Sequence, residues 1–193
     1  MPSPVISKKD QETLLKCARE VLEKALKDSE GLNQTHLIKS LVSFYSMENN
    51  SPAGVFITLK KSGSLRGCIG TIFGEKPLLE SVTKMTLQSA FCDPRFPPLA
   101  VQELEKTKIE ISVLSPMKKI KSLDEIIPFQ HGVYVKSGFH SGVFLPQVWE
   151  QLPDKKMFLK ELCFSKAGLS PDAYQDPKTE IFIYTVDHFE EKD

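Results

Sequence analysis

Apolar residues recur at helical spacing from the start of the chain: Leu14, Leu15, Ala18, Val21, Leu22, Ala25 and Leu26 fall on one side of a 3.6-residue repeat. This pattern predicts an amphipathic helix of about five turns. Ser7 and Asp10 supply a capping box at its start, and Gly31 a stop. A second helix is predicted over His36 to Tyr45, with Ile38, Leu41, Val42 and Tyr45 on a shared face. The period then changes to two. Val55, Ile57 and Leu59 alternate with Phe56 and Thr58, which predicts a strand over Gly54 to Leu59. Ser62-Gly63-Ser64 turns it back into a neighbouring strand from Leu65 onward.

Pro77 suits the first turn of a third helix that carries Leu78, Val82, Met85, Thr86 and Ala90 and ends near Phe91, before Pro94. The three prolines of FCDPRFPPL, Phe91 to Leu99, predict an ordered loop held by aromatic packing. Ile109, Ile111 and Val113 alternate with Glu110 and Ser112 in a strand read as half-buried, and Ser122 and Glu125 mark a short helix start. Further on, Gly132 to Lys136 and Gly142 to Leu145 flank a turn at Ser137-Gly138. Pro146 opens a short helix with Val148, Trp149 and Leu152. Asp154 caps a longer one with Phe158, Leu159, Leu162 and Cys163 inward and Gly168 at its end. A single last strand is predicted from Ile181 to Val186, buried on both faces. Hairpins interleaved with helices favour an α+β chain over a wound βαβ sheet.

Composition narrows the class. With 193 residues, 40% hydrophobic and 26% charged, the chain is long enough for one substantial domain or two small joined lobes, and too apolar for extended disorder. Basic and acidic residues both number 25, so no net field favours nucleic acid or an anionic membrane. The short basic groups Lys60, Lys61, Arg66 and Lys118, Lys119, Lys121 read as anion contacts or as solvated loops. No stretch approaches the ~20 apolar residues of a membrane span, and MPSPVISKKD lacks a secretion-signal core, so a cytoplasmic location is the default expectation. Cys17, Cys68, Cys92 and Cys163 form no CxxC pair. No compact Cys, His and carboxylate spacing nominates a metal site, which leaves only one assembled across the fold.

The chemistry concentrates in LRGCIGTIFG, Leu65 to Gly74. Cys68, between Gly67 and Ile69 with Gly70 beyond, is either a thiolate nucleophile or ligand or a small packed side chain. Arg66 alternates with Cys68, so in an extended segment both face one side. The glycines lack the GxGxxG and GxxxxGK[ST] orders; they admit an anion to backbone N–H groups or relieve crowding beside a strand. Asp93 and Arg95 bracket Pro94, either as proton acceptor and anion fork or as a loop-stabilising ion pair. His131 is a proton-transfer or ligand residue, or a turn residue bonded to backbone. Gln147 and Trp149 line a pocket or partner surface, or Trp149 simply packs. His36, His140 and His188 are weaker candidates, the last lying in an acidic tail.

Together LRGCIGT, FCDPRFPPL, HGVYV at His131 to Val135, FLPQVWEQLP at Phe144 to Pro153 and LCFSKAGL at Leu162 to Leu169 resemble the AMMECR1-domain family, the A component of the AmmeMemoRadiSam grouping. The resemblance covers nearly the whole chain. It implies a single domain over 1–193: a compact two-lobed α+β fold with mixed and antiparallel sheet and flanking helices, its lobes packed about a cleft near the RGCIG segment. Carried over position by position, it marks Arg66, Gly67, Cys68, Gly70, Asp93, Arg95, His131 and Gln147. Cys68, Arg66, Asp93 and His131 are the catalytic candidates, and Gly67, Gly70, Arg95 and Gln147 the ligand-binding ones. The implied partner is a MEMO-like or radical SAM protein, and Arg66 and Arg95 suit a small anionic ligand. No cofactor is specified, and the chain lacks the CxxxCxxC signature of a radical SAM enzyme itself. Two functions follow: an accessory or binding component of that system, or a small-molecule enzyme using a cleft thiol at Cys68.

Overall fold

A computed structural model of the chain describes residues 6–27 and 33–192. Its contacts divide into two units, Met1–Leu114 with Asp187–Asp193, and Ser115–Val186, each with its own four-stranded sheet and apolar cluster.

In the first unit, α1 (Lys8–Lys27) buries Leu14, Ala18, Val21 and Leu22 of the predicted stripe together with Cys17, while Leu15, Ala25 and Leu26 pack partly buried against the same cluster. Gly31, the expected stop, lies outside the described residues. Ser7 Oγ accepts the Asp10 N–H at 3.1 Å, but the Asp10 carboxylate does not return to the cap. It accepts the N–H groups of Glu48 and Asn49 at 3.0 and 3.1 Å, because two backbone donors of the segment after α2 (Gln34–Phe44) outweigh one at the cap. Asn33 caps α2 through the His36 N–H.

The strands β1 (Val55–Lys61) and β2 (Ser64–Thr71) form the expected hairpin. Ser62 and Gly63 both take positive φ, 49° and 81°, as a tight turn matched to strand twist requires. The sheet runs β2-β1-β3-β8, with β3 at Thr107–Leu114 and β8 at Val186–Glu190. Val55, Ile57, Leu59, Ile109 and Ile111 are sealed on one face, and α3 (Leu78–Phe91) packs on β1 and β2. β3 is buried on both faces rather than one, with Glu110 and Ser112 each 5% exposed, because it lies between β1 and β8.

The second unit's sheet runs β4-β7-β5-β6: β4 (Lys118–Lys119), β7 (Glu180–Tyr184), β5 (Gly132–Ser137) and β6 (His140–Phe144). The β5–β6 turn falls at Gly138-Phe139, one residue later than expected, with the positive φ at Gly138, and β6 starts at His140. Asp154 caps α4 (Lys155–Glu161) by accepting the Met157 N–H. The expected longer helix instead loosens into a π turn over Leu162–Lys166, and Gly168 at φ 64° ends it. Trp149 is fully buried, stacked on Phe158 with centroids 3.6 Å apart.

The single last strand becomes two. Alternation runs unbroken through Ile181 to Val186, yet the backbone of Thr185 pairs with Ser115, so β7 serves the second sheet and β8 the first. Antiparallel pairing and mixed helices make the fold α+β.

Candidate functional site

The LRGCIG segment is the edge strand β2, and its glycines serve close packing. A Cβ on Gly67 would stand 2.2 Å from the Ser89 carbonyl oxygen, so only glycine lets the end of α3 approach the strand. Ser89 Oγ donates to Ile57 O at 2.8 Å and accepts the Ile69 N–H at 2.9 Å, tying α3 to both strands of the hairpin. A Cβ on Gly70 would meet the Phe56 ring at 2.4 Å.

Arg66 departs from simple alternation. The register pairs Leu59 with Gly67 and Lys60 with Leu65, so Arg66 is the extra residue of a β-bulge. Its side chain is buried and forked onto Glu103, with Nε to Oε1 at 3.0 Å and Nη2 to Oε2 at 2.9 Å. Glu103 also accepts from Lys61 Nζ and the Ala100 N–H. Arg66 first, then Lys61, hold the Glu103 carboxyl well below the usual range. Arg66 therefore braces the bulge through Glu103.

Cys68 is half-buried, and its polar atoms are all engaged. Thr58 Oγ1, directly across the register, donates to Sγ at 3.3 Å. The outward-facing Cys68 N–H donates to Asp93 Oδ2 at 2.8 Å, and the Cys68 carbonyl accepts from Arg95 Nη2 at 3.3 Å. Asp93 and Arg95 thus cap the open edge of β2. The Asp93 side chain is 2% exposed and further accepts from Arg95 N, Nε and Nη2 at 3.1, 2.9 and 2.7 Å. Arg95 above all, helped by the two backbone N–H groups, drives the Asp93 carboxyl far below its ordinary value, against the opposing effect of burial. At neutral pH it is a fixed anion and a poor proton acceptor. The Arg95 side chain remains 53% exposed, and its Nη1 has no hydrogen-bond partner among the described residues. The Arg66 and Arg95 guanidinium groups stand 5.8 and 5.5 Å from the Phe96 ring, which is the aromatic contact that docks the proline loop.

On the same sheet face, Thr58 is in register with Cys68 on one side and with Glu110 on the other. Lys60, two residues along β1 from Thr58, pairs with Glu110; Ser112 follows on β3, and beyond it β8 brings His188 and Glu190. Reading the sequence alone missed Thr58, Ser89, Glu103 and this β3–β8 group. The alternation of Glu110 and Ser112 against three β-branched residues was the available signal; His188 and Glu190 looked like a charged tail.

His131 and Gln147 belong to the second unit. His131 is 9% exposed, its Nδ1 accepts the Ile127 N–H at 3.1 Å, and its carbonyl accepts from Trp149 Nε1 at 2.7 Å. Burial pushes its pKa down, favouring the neutral ring. Gln147 is exposed on the short turn Pro146–Glu150. A cavity of about 520 Å³ in this unit, lined by Lys155, Lys156, Lys160 and Tyr174 among others, includes none of the nominated residues. No helix among the described residues is long and apolar enough to cross a membrane.

The AMMECR1 family model matches residues 15–189. Protein NEQ441 of Nanoarchaeum equitans is 38% identical over 186 residues, spanning 92% of this chain and 98% of that protein. A Methanothermobacter thermautotrophicus protein is 34% identical over 193 residues, 96% of each chain. The crystal structure of the uncharacterized protein PH0010 from Pyrococcus horikoshii is similar with a TM-score of 0.79 at 34% identity, covering 97% of this chain and 94% of that one.

Proposed function

The chain belongs to the AMMECR1 family, and from that membership we propose that it is a binding component, taking a small anionic ligand at the Arg95–Cys68 rim in the service of a MEMO-like or radical SAM protein. The observation that carries this reading is Arg95 itself. Asp93 fixes one edge of the guanidinium, while half of the side chain and Nη1 stay available, a pre-oriented donor for carboxylate or phosphate oxygens. The two carboxylates nearest the motif, Asp93 and Glu103, are held ionised by arginines and suit positioning better than proton transfer. The test is retention of metabolites by native protein, repeated with Arg95→Ala and Cys68→Ser. A ligand kept by the wild type and lost from Arg95→Ala supports the reading; an identical retained set in all three proteins refutes it.

A second reading rests on the half-buried Sγ of Cys68, which accepts the Thr58 hydroxyl beside a cation and could act as a nucleophile. It requires that Cys68 alkylate faster than the exposed Cys92, and that Cys68→Ser abolish any activity found.

A further inference from the structure

We propose that Glu110, His188 and Glu190 bind a first-row divalent cation on the Thr58 face of the first sheet, displacing Lys60, which serves there as the built-in counter-ion. The site follows from strand geometry. β3 and β8 are neighbours, and residues two apart on a strand share a face, so Glu110 with Ser112 and His188 with Glu190 are presented side by side. One ligand atom from each of Glu110, His188 and Glu190 lies within 4.8 Å of the others. Ligand atoms about 2.1 Å from a tetrahedral metal stand about 3.4 Å apart, so a modest inward turn of the exposed His188 and Glu190 toward Glu110 completes the set.

Two independent features point to a cation here. Glu110 Oε1 is wholly buried, and what neutralises it is a close ion pair with the ammonium of Lys60. A buried carboxylate beside a second carboxylate demands positive charge, and Lys60, with 42% of its side chain exposed, can withdraw its flexible stem to water. The second feature is the Ser112 hydroxyl, 5% exposed and 3.2 Å from His188 Nδ1. It holds one ring nitrogen and leaves the other as a ligand, the arrangement by which outer hydrogen bonds orient metal-binding imidazoles. One nitrogen and two oxygens suit Zn²⁺ or Mn²⁺ better than an all-oxygen Ca²⁺ cage, and three protein ligands leave an open coordination position. Thr58 lies between Glu110 and Cys68, so the ion would share the face of the thiol about two strand spacings, roughly 10 Å, away. This inference is independent of the anion-binding reading and stands or falls separately.

The test is calorimetric titration of the whole chain with Zn²⁺ in a Cys68→Ser, Cys92→Ser background, which removes the two accessible thiols. One-site binding is expected, weakened at least about tenfold by Glu110→Gln, His188→Ala or Glu190→Gln. Glu190 is exposed, so its variant should fold normally and keeps the test decisive if Glu110→Gln does not. Lys60→Met should bind about tenfold or more tightly, since a like charge a few ångströms from the ion is gone. Binding that is unchanged in Glu190→Gln and His188→Ala, looser binding by Lys60→Met, or no binding by either the background protein or Lys60→Met up to ~1 mM Zn²⁺ overturns the proposal.

Discussion

Replacing Asp93 with asparagine should loosen the edge of β2 by an amount that depends on pH. The carboxylate accepts four hydrogen bonds, from Cys68 N and from Arg95 N, Nε and Nη2. An amide keeps one oxygen, and in either orientation its NH₂ faces one backbone N–H and one guanidinium N–H: those of Cys68 and Arg95 Nη2 at Oδ2, or Arg95 N and Nε at Oδ1. A backbone N–H left unsatisfied costs about 1–3 kcal/mol, while Arg95, half-exposed, can re-solvate, so its share falls to about 1 kcal/mol or less. The expected loss at pH 7 is therefore about 2 kcal/mol. Hydrogen exchange of the β2 peptide should read this as an opening about 30-fold more frequent.

The pH dependence follows from the depressed carboxyl. Unfolded, Asp93 titrates near 3.9; folded, it titrates far lower, so its contribution is complete above about pH 4 and is lost as pH falls. Between those values the unfolded chain carries about one more proton, and wild-type stability should fall by up to about 1.4 kcal/mol per pH unit from this group. Asp93→Asn lacks that slope, so the gap between the proteins should narrow below pH 4. Urea denaturation followed by far-UV circular dichroism measures it; the single tryptophan, Trp149, reports only the second unit. Equal stability at pH 7, or a gap that stays constant down to pH 2.5, would refute an ionised Asp93 as the clamp on Cys68.

Other outcomes are equally direct. Gly67→Ala should destabilise the first unit by about 1–3 kcal/mol or more, because its Cβ would collide with the Ser89 carbonyl rather than with a movable side chain; an unchanged melting temperature would contradict that contact. Arg66→Lys should cost about 1–3 kcal/mol in urea titrations, since an ammonium cannot reproduce the fork onto Glu103 and the Pro98 carbonyl. Trp149→Phe should cost about 1–3 kcal/mol in a thermal melt by leaving the buried His131 carbonyl without its donor, and Trp149→Ala about 3–5. His131 titrates lower folded than unfolded, so the unfolded chain binds the extra proton and the second unit should lose stability as pH drops below about 6.5. His131→Asn, which keeps an acceptor for Ile127, should flatten that dependence in Trp149 fluorescence; persistence of the slope would place its origin elsewhere.

Local order was legible in the sequence because it depends on neighbours along the chain. The α1 stripe, the Ser62-Gly63 turn, the alternation of Val55, Ile57 and Leu59, and the Asp154 cap each follow from spacing and backbone preference within a few residues. The ordered motifs likewise carried the family. Tertiary structure alone decided the rest, wherever a residue's partner is distant in sequence. A bulge took Arg66 out of step with Cys68 and gave it to Glu103, 37 residues away. The last alternating run split between two sheets because Ser115 claims the Thr185 backbone. Asp10 left its cap for the backbone of Glu48 and Asn49. His188 and Glu190, an acidic tail by composition, came to lie beside Glu110 once β8 joined β3. Periodicity records which side of an element is apolar; it carries no information about which strand or loop stands next to it, and here β3–β8 adjacency assembled one polar group while the proline loop brought Asp93 and Arg95 to the edge of β2.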